Sequence, residues 1–375
     1  MLQELADSSR SGASRIQAIR MTIRVLVVDD SALARHVLTE VLSAQPDIDV
    51  IGAAQDPYVA RDLIKQLSPD VITLDVEMPR MDGLMFLENL MRLRPTPVVM
   101  VSSLTTRGAE VTLRALELGA IDFVAKPELG LADGLRRHAD ELAAKIRVAS
   151  VARVKALSAA APSRAASLPA AAPGYSTTYK LIAMGASTGG TEALRAVVRC
   201  LPPDAPAIVI TQHIPPTFSL PFAQRMDRES AMNVCQAEDR QPILPGHVYV
   251  APGDAHLLVE RSGARWMCRL SDAEPVNRHR PAVDPMFDSV LEACGTNALG
   301  VLLTGMGEDG ARGLKRLRDG GCTTIAQDEA SSVVWGMPGT AVRLGAAEQI
   351  LNLDDIAAAM LAWVGRKSIP NQRTA

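Results

Sequence analysis

Two sets of residues in this chain have the types and spacing that chemistry needs. In the first, Asp29-Asp30 closes one short apolar run, Asp75 closes another, Ser102-Ser103 ends a third, and Lys126-Pro127 follows a fourth. Carboxylates converging on one point repel one another and call for a cation, and an oxygen-only donor set suits Mg²⁺. A carboxylate beside that ion, with a hydroxyl and an ammonium nearby, can attack a phosphoryl donor while its neighbours neutralise the equatorial oxygens. Each residue alone reads as a helix cap or a surface cation. Four groups at four strand ends favour a joint site.

The second set begins with Gly185-Ala186-Ser187-Thr188-Gly189-Gly190, which contains G-x-S-x-G between an apolar run and an amphipathic stretch. That is the form of a strand–turn–helix nucleophile elbow. On this motif alone Ser187 is equally a nucleophile or a helix cap. Neither G-x-G-x-x-G nor G-K-[ST] is present, so neither a dinucleotide fingerprint nor a P-loop is indicated. A serine nucleophile needs a base and an orienting carboxylate. Of six histidines, His213 ends the buried run Ala207–Gln212, which places it at the same sheet edge as Ser187. His36 and His138 read as solvated; His247, His256 and His279 have no metal-ligand spacing. For the carboxylate, Thr304-Gly305-Met306-Gly307-Glu308-Asp309-Gly310 follows another buried run, and spacing does not choose between Glu308 and Asp309. The order Ser, His, acid differs from that of α/β-hydrolases, chymotrypsin and subtilisin, which disfavours an ordinary esterase or lipase.

The elements that must position these residues follow from periodicity. Apolar runs at 23–28, 50–53, 71–74, 98–101 and 122–124 read as buried strands. Helical patterns lie between them: one capped by Ser31 with Leu33, Val37, Leu38, Val41 and Leu42 inward, then 58–67, 83–93 and 107–118. Strands alternating with helices imply a parallel sheet with right-handed crossovers. A second alternating pattern starts at Tyr179, with strands at 181–184, 207–210, 299–303 and 322–326 and a hairpin of 256–260 and 265–270 around Ser262-Gly263. The expected fold class is α/β: a flavodoxin-like five-stranded parallel domain joined to a doubly wound, mostly parallel α/β domain with an antiparallel hairpin.

Between the two patterns, 148–178 contains no Asp or Glu and is dominated by Ala, Ser and Pro, the composition of a linker. The expected organisation is a tail (1–21, with Met21 as an alternative start), a first domain (22–147), the linker (148–178), a second domain (179–366) and a C-terminal tail (367–375). The 39 Lys+Arg against 42 Asp+Glu and the 3% aromatic content give no electrostatic or stacking reason to expect nucleic acid. No run approaches the roughly 18 apolar residues of a membrane span, and there is no signal-peptide apolar region. Five cysteines without a C-x-x-C read as reduced thiols of a cytoplasmic protein.

Val27-Val28-Asp29-Asp30-Ser31, Leu74-Asp75-Val76-Glu77-Met78-Pro79-Arg80-Met81-Asp82-Gly83 and Phe123-Val124-Ala125-Lys126-Pro127 resemble the receiver domain of two-component response regulators. The resemblance implies that Asp75 accepts the phosphoryl group and that Asp30 and Asp75, with Asp29 and the Glu77 backbone carbonyl, hold Mg²⁺. It makes Ser102 the switching hydroxyl, Phe123 the switching aromatic and Lys126 the cation of the switch. The Ser187 and His213 segments, Val248–Asp254, Arg278-His279-Arg280-Pro281-Ala282-Val283-Asp284, the 304–310 segment and Ile325–Glu329 resemble the catalytic domain of the chemotaxis protein-glutamate methylesterase (CheB) family.

That resemblance implies a Ser187, His213 and Asp309 triad, the Met306 backbone N–H in the oxyanion hole, Thr188 as support and Arg280 gripping an acidic helix. Ala282, where the family usually has Ser, and Gly339-Thr340, where a charged residue is common, are departures away from the triad. The implied activity is removal of γ-glutamyl methyl esters, with methanol released, and deamidation of glutamines on chemoreceptor cytoplasmic helices. Ester hydrolysis would need no cofactor. The implied regulation is inhibition by the receiver until a chemotaxis histidine kinase supplies the phosphoryl group, in a monomer that neither enters membranes nor binds nucleic acid. The competing reading is a non-catalytic response-regulator adaptor; a DNA-binding output is disfavoured because the second half has neither helix-turn-helix nor basic face.

Overall fold

The computed structural model describes residues 22–76, 78, 83–103, 105–126, 135–136, 138–152, 154 and 180–365. The two tails, Glu77 and nearly all of the expected linker lie outside the described residues.

The first half runs β1 (Ile23–Val28), α1 (Ala32–Ser43), β2 (Ile48–Ala54), α2 (Pro57–Leu67), β3 (Val71–Asp75), α3 (Gly83–Leu93), β4 (Val98–Ser103), α4 (Thr106–Glu117), β5 (Asp122–Lys126) and α5 (Ala139–Val151). Its strands form one parallel sheet in the order β2-β1-β3-β4-β5. The strands are Val- and Ile-rich because both faces are covered by helices, and Val25–Val28 and Val71–Leu74 are buried throughout. Local signals start the helices. Ser31 Oγ accepts from the Ala34 N–H at α1, and Asp56 accepts from Tyr58 and Val59 N–H at α2, where Pro57 supplies a ready-made φ. Leu33, expected on the buried face of α1, is instead 53% exposed. Ala34, Val37, Leu38, Val41 and Leu42 define the buried stripe, and Leu33 is turned about 100° from Ala34. Helix α5 continues to Val151, so the expected domain end at 147 falls inside a helix.

The second half runs β6 (Leu181–Ala186), α6 (Gly190–Val198), β7 (Ala207–Gln212), α7 (Pro216–Glu229), β8 (Asn233–Gln236), β9 (His247–Val250), β10 (His256–Ser262), β11 (Arg265–Ser271), α8 (Val283–Cys294), β12 (Ala298–Leu302), α9 (Ala311–Asp319), β13 (Thr323–Gln327), α10 (Met337–Arg343), β14 (Gln349–Leu351) and α11 (Leu353–Gly365). Seven strands form a parallel sheet in the order β14-β13-β12-β6-β7-β9-β8. The β10–β11 hairpin pairs on its own, apart from that sheet. Strands β8, β9 and β14 have no counterpart in the sequence reading, because runs of four residues or fewer carry too little periodicity to separate strand from loop. Lys180 opens the half by donating to the Trp363 and Val364 carbonyls at the end of α11, which closes the domain on itself.

Both sheets have a switch point where the strand order reverses, β1/β3 in the first and β6/β12 in the second. Ligands of open α/β sheets bind outside the carboxyl ends of strands at such points. Asp29-Asp30 and Asp75 follow β1 and β3; Ser187 and the 304–310 segment follow β6 and β12.

Candidate active site

Ser187 stands in the turn between β6 and α6, and its geometry is set by close backbone packing. Its N–H donates to the Thr304 carbonyl (3.0 Å) and its carbonyl accepts from Gly190 N–H (2.6 Å). Gly189 turns the chain at φ +74°, where a Cβ would also lie 2.7 Å from the Val333 side chain. A Cβ on Gly305 would lie 2.8 Å from Ser187 Cβ, so the loop after β12 passes against the serine only because it is glycine there. Gln212, at the end of β7, donates to both the Ser187 carbonyl (3.0 Å) and the His213 carbonyl (3.1 Å), which locks the two turns together.

The His213 ring bridges serine and acid. Its Nδ1 is 3.2 Å from Ser187 Oγ and its Nε2 is 2.8 Å from Asp309 Oδ2. With the proton on Nε2, shared with the carboxylate, Nδ1 carries the lone pair that faces the hydroxyl. Between the two acids that spacing left open, Glu308 is exposed and pairs with Arg312, whereas Asp309 is 2% exposed and touches the histidine. Asp309 receives four donors. His213 Nε2 and the Val283 N–H (2.6 Å) reach Oδ2; the Asn277 amide (2.8 Å) and the Asp284 N–H (3.2 Å) reach Oδ1. The two N–H groups belong to the first turn of α8, so the positive helix terminus faces the anion. Burial pushes the Asp309 carboxyl up, but the hydrogen bond and charge of His213, with the Val283 and Asn277 bonds, outweigh it and hold it at about 2.

His279 stacks on His213 with ring centroids 3.7 Å apart and planes 11° from parallel. Burial, then repulsion from His213, lower its pKa to about 4, so it is a neutral ring at neutral pH. Arg280, which follows His279 in the chain, is exposed and donates to the Asp272 and Ala273 carbonyls. Met306, half-buried, follows Gly305 in the segment packed on Ser187. Sequence reasoning missed Asn277, Asp284 and the role of Gln212. The available signal was Asn277 itself, a residue type that tolerates left-handed turns.

In the first half, one carboxylate oxygen from each of Asp29, Asp30 and Asp75 lies within 4.8 Å of the others. Lys126 Nζ bridges Asp29 (2.8 Å) and Asp75 (2.7 Å). Burial and then the Asp75 charge push the Asp29 carboxyl up. A hard divalent cation fits this donor set of converging carboxylates, two of them buried. Ser102 is fully buried, within 2.6 Å of Thr112 Oγ1.

Comparison with known proteins separates the two halves along the same line. Residues 182–360 match the CheB methylesterase family, and residues 25–133 match the response regulator receiver domain family. A protein-glutamate methylesterase/protein-glutamine glutaminase of Xanthomonas campestris is 57% identical, over 91% of this chain and 97% of that protein. One from Pseudomonas aeruginosa is 56% identical, over 94% of this chain and all of that protein. The chain belongs to the CheB methylesterase family. The catalytic domain of Thermotoga maritima CheB methylesterase is a similar solved structure, 36% identical over 49% of this chain and 98% of its own, with a TM-score of 0.48. Among the described residues, no helix is long and apolar enough to cross a membrane.

In this CheB-family chain the receiver half rests on the methylesterase half beside the serine. Thr188, next to Ser187, donates its hydroxyl to Asp122 at the start of β5. Phe123 stacks on Phe218 of α7 with centroids 4.4 Å apart. Glu117, the last residue of α4, binds Arg225 of α7 (2.7 Å) and lies 3.8 Å from Arg195 of α6, while Arg225 also donates to the Leu113 carbonyl (2.6 Å). Lys145 of α5 reaches Asp122 (3.3 Å) and the Phe123 carbonyl (2.5 Å). The residues at the start of β5 thus touch Thr188, the neighbour of Ser187, and Lys126 at its end touches Asp75.

Proposed function

We propose that this chain hydrolyses γ-glutamyl methyl esters on the cytoplasmic helices of chemoreceptors and deamidates receptor glutamines, in the cytoplasm, as a monomer under control of its receiver. The observation that carries the chemistry is the His213 ring held between Ser187 Oγ and Asp309 Oδ2. His213 Nδ1 takes the Ser187 proton as Oγ bonds to the ester carbonyl carbon. The imidazolium, stabilised by Asp309, returns that proton to the departing methoxide, and methanol leaves an acyl-serine. A water, deprotonated by the same Nδ1, then breaks the acyl bond and restores the hydroxyl, leaving a glutamate. The transient oxyanion lies toward the Met306 N–H, and losing one such donor typically costs about 10²–10³-fold. With ammonia in place of methanol the same steps deamidate glutamine. Thr188 supports the serine turn, and the exposed Arg280 offers a cation to an acidic helix. In Ser187→Ala, methanol release from methylated receptor membranes should fall to background; release equal to wild type would sink the assignment.

Control follows from the contact between halves. Asp29, Asp30 and Asp75, with the Glu77 backbone carbonyl, would hold Mg²⁺, which when bound neutralises phosphoryl oxygens at Asp75. Phosphate from a chemotaxis histidine kinase adds negative charge beside Lys126, at the end of the strand whose start holds Thr188 and Phe218. Ser102 and Phe123 are the groups this charge would reposition, loosening the receiver from the serine. Glu117→Arg sets a cation against Arg225 and Arg195 and should raise unphosphorylated activity about 10-fold, as expected when like charges replace a paired contact in a two-state docking equilibrium. Activity unchanged by Glu117→Arg and by phosphodonor together would remove the regulatory reading.

A further inference from the structure

The segment before α8 contains a two-residue turn that reaches the triad. Val276 and His279 exchange backbone hydrogen bonds (Val276 N–H to the His279 carbonyl, 3.0 Å; His279 N–H to the Val276 carbonyl, 2.9 Å). Between them Asn277 and Arg278 both have positive φ, 52° and 68°. Paired left-handed residues at the centre of a tight hairpin are the type I′ arrangement, for which Asn is favoured. One leg carries His279, stacked on His213. The tip carries Asn277, whose single amide nitrogen donates one hydrogen to Asp309 Oδ1 (2.8 Å) and the other to Asp284 Oδ2 (2.9 Å).

Resting on the triad reading above, we propose that Asn277 is a positioning residue for the reaction, an amide wedge that holds Asp309 and the second buried carboxylate, Asp284, apart and oriented. Both carboxylates are nearly inaccessible to water. Asp284 is otherwise satisfied by the Gly313 N–H (2.6 Å) and by Arg316 3.8 Å away. Two buried anions this close repel one another unless a donor stands between them. An amide supplies two hydrogens and no charge, so it neutralises neither carboxylate yet fixes the plane in which Asp309 meets His213. An aspartate at 277 would tolerate the left-handed backbone almost as well, but would place a third carboxylate in the cluster. Glycine would keep the turn and delete the amide. The charged or titratable groups around the position are Asp309, Asp284, Arg316, His213 and His279, with Arg278 beside it in the turn exposed to solvent and Lys145 acting on His279 across the domain contact.

The test compares Asn277→Gly and Asn277→Asp with wild type and Ser187→Ala, all as full chains with phosphodonor and Mg²⁺, reading methanol release from methylated receptor membranes between pH 6 and 8. Asn277→Gly should lower kcat about 10–100-fold with KM within about 3-fold, the effect of losing a hydrogen bond to a charged group at the transition state. Asn277→Asp should be worse than Asn277→Gly at pH 8. Its deficit relative to wild type should shrink toward pH 6, as the cluster takes up a proton that restores a donor. A residue that only shaped the turn would leave both variants near wild type, because Gly and Asp both suit the left-handed backbone, and the Asn277→Asp rate ratio would not change with pH. The ratio across pH is taken on one preparation and does not depend on how much of it folds. Both variants within about 3-fold of wild type, or a pH-independent Asn277→Asp more active than Asn277→Gly, would overturn the proposal. Residual release by Ser187→Ala would instead overturn the triad reading on which it rests.

Discussion

On the proposed mechanism, replacing Asp309 by asparagine is expected to lower methanol release about 10⁴-fold, the loss typical of a triad aspartate made into an amide. The reason lies in its four donors. Oδ2 receives His213 Nε2–H and the Val283 N–H, and Oδ1 receives the Asn277 amide and the Asp284 N–H. An asparagine has one acceptor oxygen and one NH₂, so either orientation turns two donors against a donor. With the NH₂ toward His213, the ring must accept at Nε2 and keep its proton on Nδ1, and it can no longer take the Ser187 proton. With the NH₂ toward Asn277, the turn that holds the acid is pushed away. Each N–H left without a partner also costs about 1–3 kcal/mol, so the variant should melt at lower temperature. Turnover and thermal unfolding of one preparation check both effects; a variant within about 10-fold of wild type would show that Asp309 does not control the His213 tautomer.

The second large effect is on stability. Lys126→Met, in Mg²⁺-free buffer, should destabilise the receiver half by on the order of 3 kcal/mol, the cost of removing one partner from a buried charge cluster. Lys126 touches both Asp29, which is fully buried, and Asp75, which is 4% exposed. Burial pushes its pKa down, but the Asp75 and Asp29 charges outweigh that and raise it above 10.5, so its stabilising effect is complete at neutral pH and fades only in strong alkali. The sign for Asp29 is opposite. Burial and the Asp75 charge raise its pKa above 3.8, so it destabilises the fold as pH climbs from 3.8 through the raised value. Without the lysine that penalty grows. The variant should therefore be more stable near pH 5 than near pH 8, and Mg²⁺ should recover much of the loss at pH 8. Thermal unfolding at both pH values, with and without Mg²⁺, measures this. A variant as stable as wild type at pH 8 without Mg²⁺ would mean the carboxylates are better solvated than their burial indicates.

The strands and helices nearest these groups were legible because their signals are local. Apolar runs such as 181–184, followed by Gly185, and 207–210, preceded by Pro206, encode a buried strand without reference to the rest of the chain. The same locality brought Ser187, His213 and the 304–310 segment to one sheet edge, because residues that follow parallel strands share an edge. The family resemblance rested on the same short segments.

What remained open depended on groups distant in sequence. Glu308 and Asp309 are neighbours with similar chemistry, and only folding buries one against His213 while the other pairs with Arg312 in solvent. Asn277 stands 32 residues from Asp309 and 7 from Asp284, in a stretch with no periodicity, and meets both carboxylates through a tight turn. Likewise Asp122 and Thr188 are 66 residues apart, on domains whose mutual placement no local pattern specifies. Composition and periodicity are properties of a segment and set its secondary structure. Burial of a carboxylate, the donors around it and the tautomer it imposes are properties of packing, and only the tertiary structure decided them.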